Sequence, residues 1–212
     1  MNKKILIFSI IIIALFTGCN KNKDFCIHII DVGQADSILI TTQSNKNMLI
    51  DGGDENSAKI IKSYLKNKKV KTLDVVVATH PDSDHIGSLD DIIDNFDVEK
   101  IYMPKQTTNS ECYINLIDSC NKKNLKVNYL SKDDSFNLDD STNIYVLSPS
   151  YITDNNNSNS IVLNISYKNN NFLFTGDCEE SNEMDMINSY DLENIDFLKV
   201  AHHGSSTSSS LE

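Results

Sequence analysis

The chain has 212 residues, 40% of them hydrophobic, with three prolines and seven glycines. That is enough apolar material for one domain with a sizeable core, and it excludes wholesale disorder. The formal net charge is −11, and loss of Lys3 and Lys4 with a leader would take it to −13. A surface of that sign repels polyanions at long range and excludes a protein that grips nucleic acid by its general surface. An enzyme acting on nucleic acid stays open, because bound divalent cations reverse the sign locally.

The first twenty residues, MNKKILIFSIIIIALFTGCN, carry two lysines, an apolar run from Ile5 to Phe16 and the small pair Thr17-Gly18 before Cys19. The run is short for a membrane span and has the layout of a secretory signal. Its exit resembles the lipobox of bacterial lipoproteins, which predicts cleavage after residue 18 and acylation of Cys19. A plain signal peptide and an uncleaved anchor are the alternatives. Residues 19–24 then form a lipidated cysteine and tether, and residues 25–212 a domain on the outer face of the cell membrane. Two acyl chains hold a protein there stably where one would not.

Apolar runs follow at residues 25–31, 37–42, 48–53, 73–80, 98–104, 125–130, 143–149, 160–167, 171–177 and 195–202. Their length, their valine and isoleucine content, and the Gly, Asn and Asp at their ends predict strands. Helical spacing appears between them: Ala58, Ile61 and Leu65; Leu89, Ile92, Ile93 and Phe96; Tyr113, Leu116 and Ile117; and Met184, Ile187 and Tyr190. Hairpins first, then strands alternating with helices, predict two mixed sheets faced by helices, an α+β domain rather than a doubly wound one. Beyond Cys19 the cysteines are Cys26, Cys112, Cys120 and Cys178. Two disulfides are permitted, but Cys112 and Cys120 on one helix lie about 12 Å apart along its axis, beyond disulfide reach. Four free thiols are expected.

The stretch THPDSDHIG, residues 79–87, holds His80, Asp82, Asp84 and His85 at a strand end, with Pro81 delaying the helix. Metal sites need several ligands converging at about 2.0–2.3 Å, which such a loop supplies. His80 and Asp82 can point to one position, and Asp84 and His85 to a second a few ångströms away, so the spacing predicts two metals. An acidic helix cap would explain the aspartates. It would not explain two histidines at the same turn.

With DVGQADSILI (31–40), LIDGG (49–53), NSNSIVLNISY (157–167), FLFTGD (172–177) and LKVAHHGSSTSSS (198–210), this loop resembles the metallo-beta-lactamase fold. Within that fold it is most similar to the extracellular metallo-hydrolase domain of ComEC-type competence proteins. The matching stretches span residues 25–210. The resemblance implies a four-layer αββα architecture and a loop of the form His-x-His-x-Asp-His, with Asp82 standing where a histidine is usual. A carboxylate there shifts preference toward harder ions, so the expected cofactors are two divalent cations, Mn²⁺ or Zn²⁺, with Mg²⁺ also compatible.

The resemblance further implies that Asp177 bridges both metals and that His202 or His203 supplies a late ligand. Asp84 and His203 are the residues expected at the reacting centre. Asp51 is expected to hold a metal-loop histidine from behind. Asn159 and Ser160 stand where the fold offers a histidine, so either would be a weak ligand or a water or substrate contact. Asp31 and Gln34 are candidates for the substrate side, with Asp31 equally able to cap its turn. Cys178 neighbours Asp177, but adjacent side chains on an extended chain diverge. His28 alternates with Ile27 and Ile29 and reads as structural.

The reaction class that follows is metal-assisted hydrolysis through a hydroxide bridging two cations. The resemblance implies a phosphodiester substrate, with single-stranded DNA outside the cell as one form of it. An esterase or amide hydrolase, and a non-catalytic metal-binding surface domain, are the alternatives. Relatives of this fold continue past the late-histidine motif. The last C-terminal elements are therefore expected to be missing, or a partner or further segment to complete the second sheet.

Overall fold

The computed structural model describes residues 24–210. The expected leader, the Cys19 acylation site and most of the tether lie outside the described residues. In chain order come β1 (Cys26–Ile29), β2 (Ile38–Thr41), β3 (Asn47–Ile50), α1 (Ala58–Asn67), β4 (Thr72–Leu73), β5 (Val75–Val77), α2 (Ser83–Ile86), α3 (Leu89–Asn95), β6 (Asp97–Val98) and β7 (Ile101–Met103). They are followed by α4 (Glu111–Lys122), β8 (Val127–Tyr129), β9 (Ser135–Asp139), β10 (Thr142–Ser148), β11 (Val162–Tyr167), β12 (Asn170–Phe174), α5 (Glu180–Ser189) and β13 (Phe197–Lys199).

The strands form a six-stranded sheet in the order β1-β2-β3-β5-β7-β8, a five-stranded sheet in the order β13-β12-β11-β10-β9, and a small β4-β6 pair. In the first sheet β1, β2 and β3 are antiparallel hairpin neighbours, while β3, β5, β7 and β8 run parallel. Successive side chains on these strands go to opposite faces, which divides the core in two. Ile38, Ile40, Met48, Ile50, Val75 and Val77 meet Ile144, Val146, Leu163, Ile165 and Phe174 of the second sheet. Leu39, Leu49 and Val76 point the other way, onto Ile61 and Leu65 of α1, Leu89 and Ile92 of α3, and Leu116 of α4. On the far face of the second sheet, Leu147, Val162 and Leu173 pack with Met186 of α5. The result is the expected helix, sheet, sheet, helix layering.

All ten expected strand regions contain a strand, and the four expected helices are present. The strand not foreseen is β9, whose sequence SFNLD contributes only Phe136 and Leu138 to the inter-sheet core. All four cysteines among the described residues are free; Cys112 and Cys120 are both buried on α4.

The parallel strands β3 and β5, and the β12–β13 pair, deliver their C-terminal ends to the same edge of the sandwich. Asp51 follows β3, Thr79 and His80 follow β5, Asp177 follows β12, and His202 and His203 follow β13. Ligands are commonly taken up at such carboxyl ends, where the backbone is fixed and the side chains are free.

Candidate metal centre

Loops from separate strands are stitched together before any side chain enters the site. Asp36 N–H donates to the Asp84 carbonyl at 3.1 Å, Gly52 N–H to His85 O at 2.6 Å, Gly53 N–H to Asp36 O at 2.7 Å, and Ile161 N–H to Thr79 O at 2.9 Å. Gly87 lets the α2 turn press against the loop after β3, since a Cβ there would overlap the Ser83 carbonyl and lie 2.5 Å from Glu55 N. Asp51, His202 and His203 have φ of 59°, 48° and 49°, all in the left-handed region that non-glycine residues seldom enter. Strain of about 1–3 kcal/mol per residue persists where the surroundings over-determine the conformation.

Asp51, 1% exposed, organises the two loop histidines. Its Oδ1 accepts Thr79 N–H at 2.8 Å, and its Oδ2 accepts both the Thr79 hydroxyl and His85 Nδ1, each at 2.8 Å. A hydroxyl has one proton. Having donated it to Asp51, Thr79 Oγ1 can only accept at its 3.1 Å contact with His80 Nδ1. Both imidazoles are therefore held with a proton on Nδ1 and with Nε2 facing inward. His80 Nε2, His85 Nε2 and Asp177 Oδ1 are all buried without a protein hydrogen-bond partner. Buried polar atoms are rarely orphaned, and three of them at this one edge of the sandwich point to ligands held there.

Their spacing says what kind. Two ligands at bonds of ~2.1 Å and a tetrahedral angle lie roughly 3.4 Å apart. The site's distances cluster there: His85 Nε2 to Asp177 Oδ1 is 3.2 Å, His203 Nε2 to Asp84 Oδ2 is 3.3 Å, His203 Nε2 to Asp177 Oδ2 is 3.4 Å, and His80 Nε2 to Asp82 Oδ2 is 3.6 Å. These are the separations expected of donors that would share an ion. Ligand atoms of Asp36, His85, Asp177 and His203 also lie within 4.8 Å of one another. The donor set fits divalent cations.

Electrostatics agree. Burial alone would pull the His85 imidazole down, but the Asp51 charge and the Asp177 contact outweigh it and carry its pKa up to about 10. Burial pushes the Asp177 carboxyl up, yet its contact with His85 and the charges of His85, His80 and Lys199 hold it well below the usual range. The field that draws a proton onto His85 is the field a cation would meet.

His202 and His203, equivalent in the sequence, separate here. His203 Nε2 reaches Asp84 and Asp177, whereas His202 Nε2 is 3.8 Å from Asp177 and its Nδ1 lies 3.0 Å from the Thr207 hydroxyl. His203 belongs to the cluster and His202 to its rim. Asp82 caps α2 in position only, with no side-chain cap bond. Ser160, fully buried, accepts the backbone N–H of Asp177 at 3.1 Å and sits behind that carboxylate, 3.1 Å from where a Cβ on Gly176 (φ 52°) would lie.

One expectation is corrected. Asn159 is neither ligand nor substrate contact. Its Oδ1 accepts from Thr153 N–H at 2.8 Å and the Thr153 hydroxyl at 3.2 Å, and its Nδ2 donates to Gln106 Oε1 at 2.9 Å and Thr153 O at 2.8 Å, which uses the whole amide. Asp31 takes the turn-capping alternative, accepting Gly33 N–H at 3.3 Å on the exposed surface. Gln34 is likewise exposed. Cys178 is buried in the outer core, where burial pushes its thiol up to about 12, and His28 bridges Tyr64 OH at 3.1 Å and Thr41 Oγ1 at 3.4 Å.

Three participants stand outside the expected site residues. Thr79 fixes the His80 tautomer, as Asp51 does that of His85. Lys199 forms an ion pair with Asp36, lies 3.7 Å from Asp177 Oδ1 and donates to Gly176 O at 3.0 Å. Asp36 offers Oδ1 at 3.7 Å from His203 Nδ1. A signal for Asp36 exists: it shares strand parity with Ile38 and Ile40, which face the inter-sheet core, so a carboxylate in that register opens onto the sandwich edge.

A model of the metallo-beta-lactamase superfamily matches residues 30–212. The chain belongs to that superfamily. It is 26% identical over 204 residues to ComE operon protein 3 of Bacillus subtilis (strain 168), covering 88% of this chain and 26% of that protein. It is 29% identical over 188 residues to Recombination protein 2 of Haemophilus influenzae, covering 85% of this chain and 21% of that protein. The chain thus spans about a quarter of the length of these curated relatives. Among solved structures, the metallo-beta-lactamase fold protein YhfI from Bacillus subtilis superposes with a TM-score of 0.51 at 15% identity, over 72% of this chain and 62% of that one. A HARLDQ-motif mutant of the metallo-beta-lactamase from Cronobacter sakazakii gives 0.55 at 10% identity, over 81% of this chain and 75% of that one. At such identities the superpositions speak to the superfamily fold alone, and they agree with the layer order described above.

Proposed function

We propose that the chain is a metal-dependent hydrolase that binds two divalent cations and cleaves phosphodiester bonds. The observation that carries this reading is the convergence of His80 Nε2, His85 Nε2 and Asp177 Oδ1, buried and unpaired, with neighbouring ligand atoms at coordination spacing. Charge supports the number of ions. Asp36, Asp51, Asp82, Asp84 and Asp177 bring five carboxylates to the site, and Lys199, beside Asp36 and Asp177, brings one ammonium, in a chain that contains no arginine. With the imidazoles neutral, as metal ligands are, five carboxylates against one lysine leave four negative charges, which two divalent ions neutralise. An anionic phosphodiester is repelled from the site without them and accepted with them.

Bound cations supply a water of lowered pKa and charge stabilisation at the transferring oxygens. The chain's own residues fix the geometry: Asp51 and Thr79 set the histidine tautomers, Ser160 anchors Asp177, and Lys199 neutralises Asp36. ComE operon protein 3 and Recombination protein 2 bear names tied to competence and recombination, which favours a nucleic-acid substrate, with single-stranded DNA as the polymeric form. We extend the reading to an acylated Cys19 holding the domain on the outer face of the cell membrane.

The test is hydrolysis of bis(p-nitrophenyl) phosphate with Mn²⁺ or Zn²⁺, beside matched ester and lactam substrates. Turnover of the phosphodiester that disappears in His80→Ala and Asp84→Ala is expected. Turnover of ester or lactam with no cleavage of the phosphodiester would refute the substrate assignment.

A further inference from the structure

The two halves of the site are not equally furnished. Asp84, His85, Asp177 and His203 make one group, with histidine-to-carboxylate contacts of 3.2–3.9 Å. On the other side His80 and Asp82 stand as a pair, Nε2 to Oδ2 at 3.6 Å. Asp82 is about a third exposed, so packing alone does not fix its carboxylate.

A directed run of side-chain amides does. Asn156 Nδ2 donates to Asp82 Oδ1 at 2.6 Å, Gln106 Nε2 donates to Asn156 Oδ1, and Asn159 Nδ2 donates to Gln106 Oε1 at 2.9 Å. The anion sets the direction of the whole run. An ionised carboxylate only accepts, so Asn156 must turn its NH₂ toward Asp82 and its oxygen toward Gln106, and the same constraint passes to Asn159. Asn159 is fully buried, and its remaining valences are closed by Thr153, so the far end is fixed to the backbone. Tyr113 OH donates to the Gln106 carbonyl at 3.2 Å and ties the middle of the run to α4.

We propose that the Asn159–Gln106–Asn156 run is the positioning device of the His80–Asp82 half of the site. It holds Asp82 with Oδ1 occupied and Oδ2 turned toward His80, so that Asp82 serves as a one-oxygen ligand. This half therefore takes its divalent ion separately from, and more weakly than, the half built from Asp84, His85, Asp177 and His203. Asn156 and Gln106 touch no ion themselves; they act through Asp82. The inference rests on the two-cation reading above, though not on the identity of the substrate.

The experiment is Mn²⁺ titration of the metal-stripped full chain, followed by calorimetry and by electron paramagnetic resonance. The latter separates free Mn²⁺, an isolated bound ion and a spin-coupled pair. Wild type is expected to load in two steps and to show the coupled signal after the second. In Asn156→Ala the second step weakens by roughly ten- to a hundredfold, the range set by losing one hydrogen bond to a charged group, while the first stays within about twofold. Gln106→Met shifts the same step by less, and His80→Ala abolishes it. Melting curves of the metal-stripped variants check that each is folded. Two steps that are both unmoved in Asn156→Ala, or both moved equally, overturn the positioning role. A single step in wild type, with no coupled signal at saturation, overturns the two-cation reading itself and the positioning role with it.

Discussion

Asp51→Asn isolates the tautomer argument because it changes charge and proton count at nearly constant shape. The amide keeps one oxygen and replaces the other with NH₂, and there are two ways to place it. With the NH₂ at Oδ1 it faces Thr79 N–H at 2.8 Å, two donors that cannot rotate away. With the NH₂ at Oδ2 it faces the Thr79 hydroxyl and His85 Nδ1, both of which can reverse their roles. The second arrangement is the cheaper one. It makes His85 Nδ1 an acceptor and moves its proton to Nε2, the atom aimed at the cluster. The lone pair is lost although the ring has not moved. Removing a partner of this kind lowers metal affinity by about 10- to 100-fold, equivalent to roughly 1.4–2.8 kcal/mol. Competition of the folded variant against a chelator of known affinity measures it. Affinity within about twofold of wild type, with an unchanged melting curve, would show that Asp51 does not set the His85 tautomer.

His203→Ala is expected to weaken metal binding by at least tenfold and His202→Ala by much less, since His203 alone of the two meets Asp84 and Asp177 below 3.5 Å; the reverse order in the same competition assay would exchange their roles. Burial, and secondarily the charge of Lys68, lower the pKa of His28 below 6.5, so the folded chain resists a proton that the unfolded chain accepts. Its contribution to stability accordingly falls as pH drops through about 6.5, and urea titrations at pH 7.5 and 5.5 should show a smaller loss on acidification in His28→Gln than in wild type. Phe174, 1% exposed between the sheets, should lose about 3–5 kcal/mol of unfolding free energy as Phe174→Ala, read from the urea midpoint; a loss under about 1 kcal/mol would mean that the inter-sheet core is not packed as described.

The layers were legible because their signal is local. Val75, Val76 and Val77 are apolar in succession, as a strand buried on both faces requires, and they send side chains to both cores. Ala58, Ile61 and Leu65 recur at helical spacing and form the buried face of α1. β9 lacks such a signal. Two apolar residues among Ser135, Asn137 and Asp139 do not distinguish an edge strand from a loop, and pairing with β10 decides the matter.

The site divides along the same line. His80, Asp82, Asp84 and His85 declare themselves because a metal loop concentrates donors within six positions. Asp36, Thr79, Lys199 and Asn156 do not, because their chemistry arises only when β2, β5, β13 and the loop before β11 reach one edge of the sandwich. An aspartate ahead of β2 reads as a turn former until Lys199 stands beside it. An asparagine in DNNNSNS reads as loop filler until its amide meets Asp82. His202 and His203 mark the limit most sharply. They are neighbours of one residue type, both with left-handed φ, and no property of the sequence ranks them. Only the direction in which each imidazole leaves the turn does so, and that direction is set by contacts more than a hundred residues away, at Asp84 and Asp36.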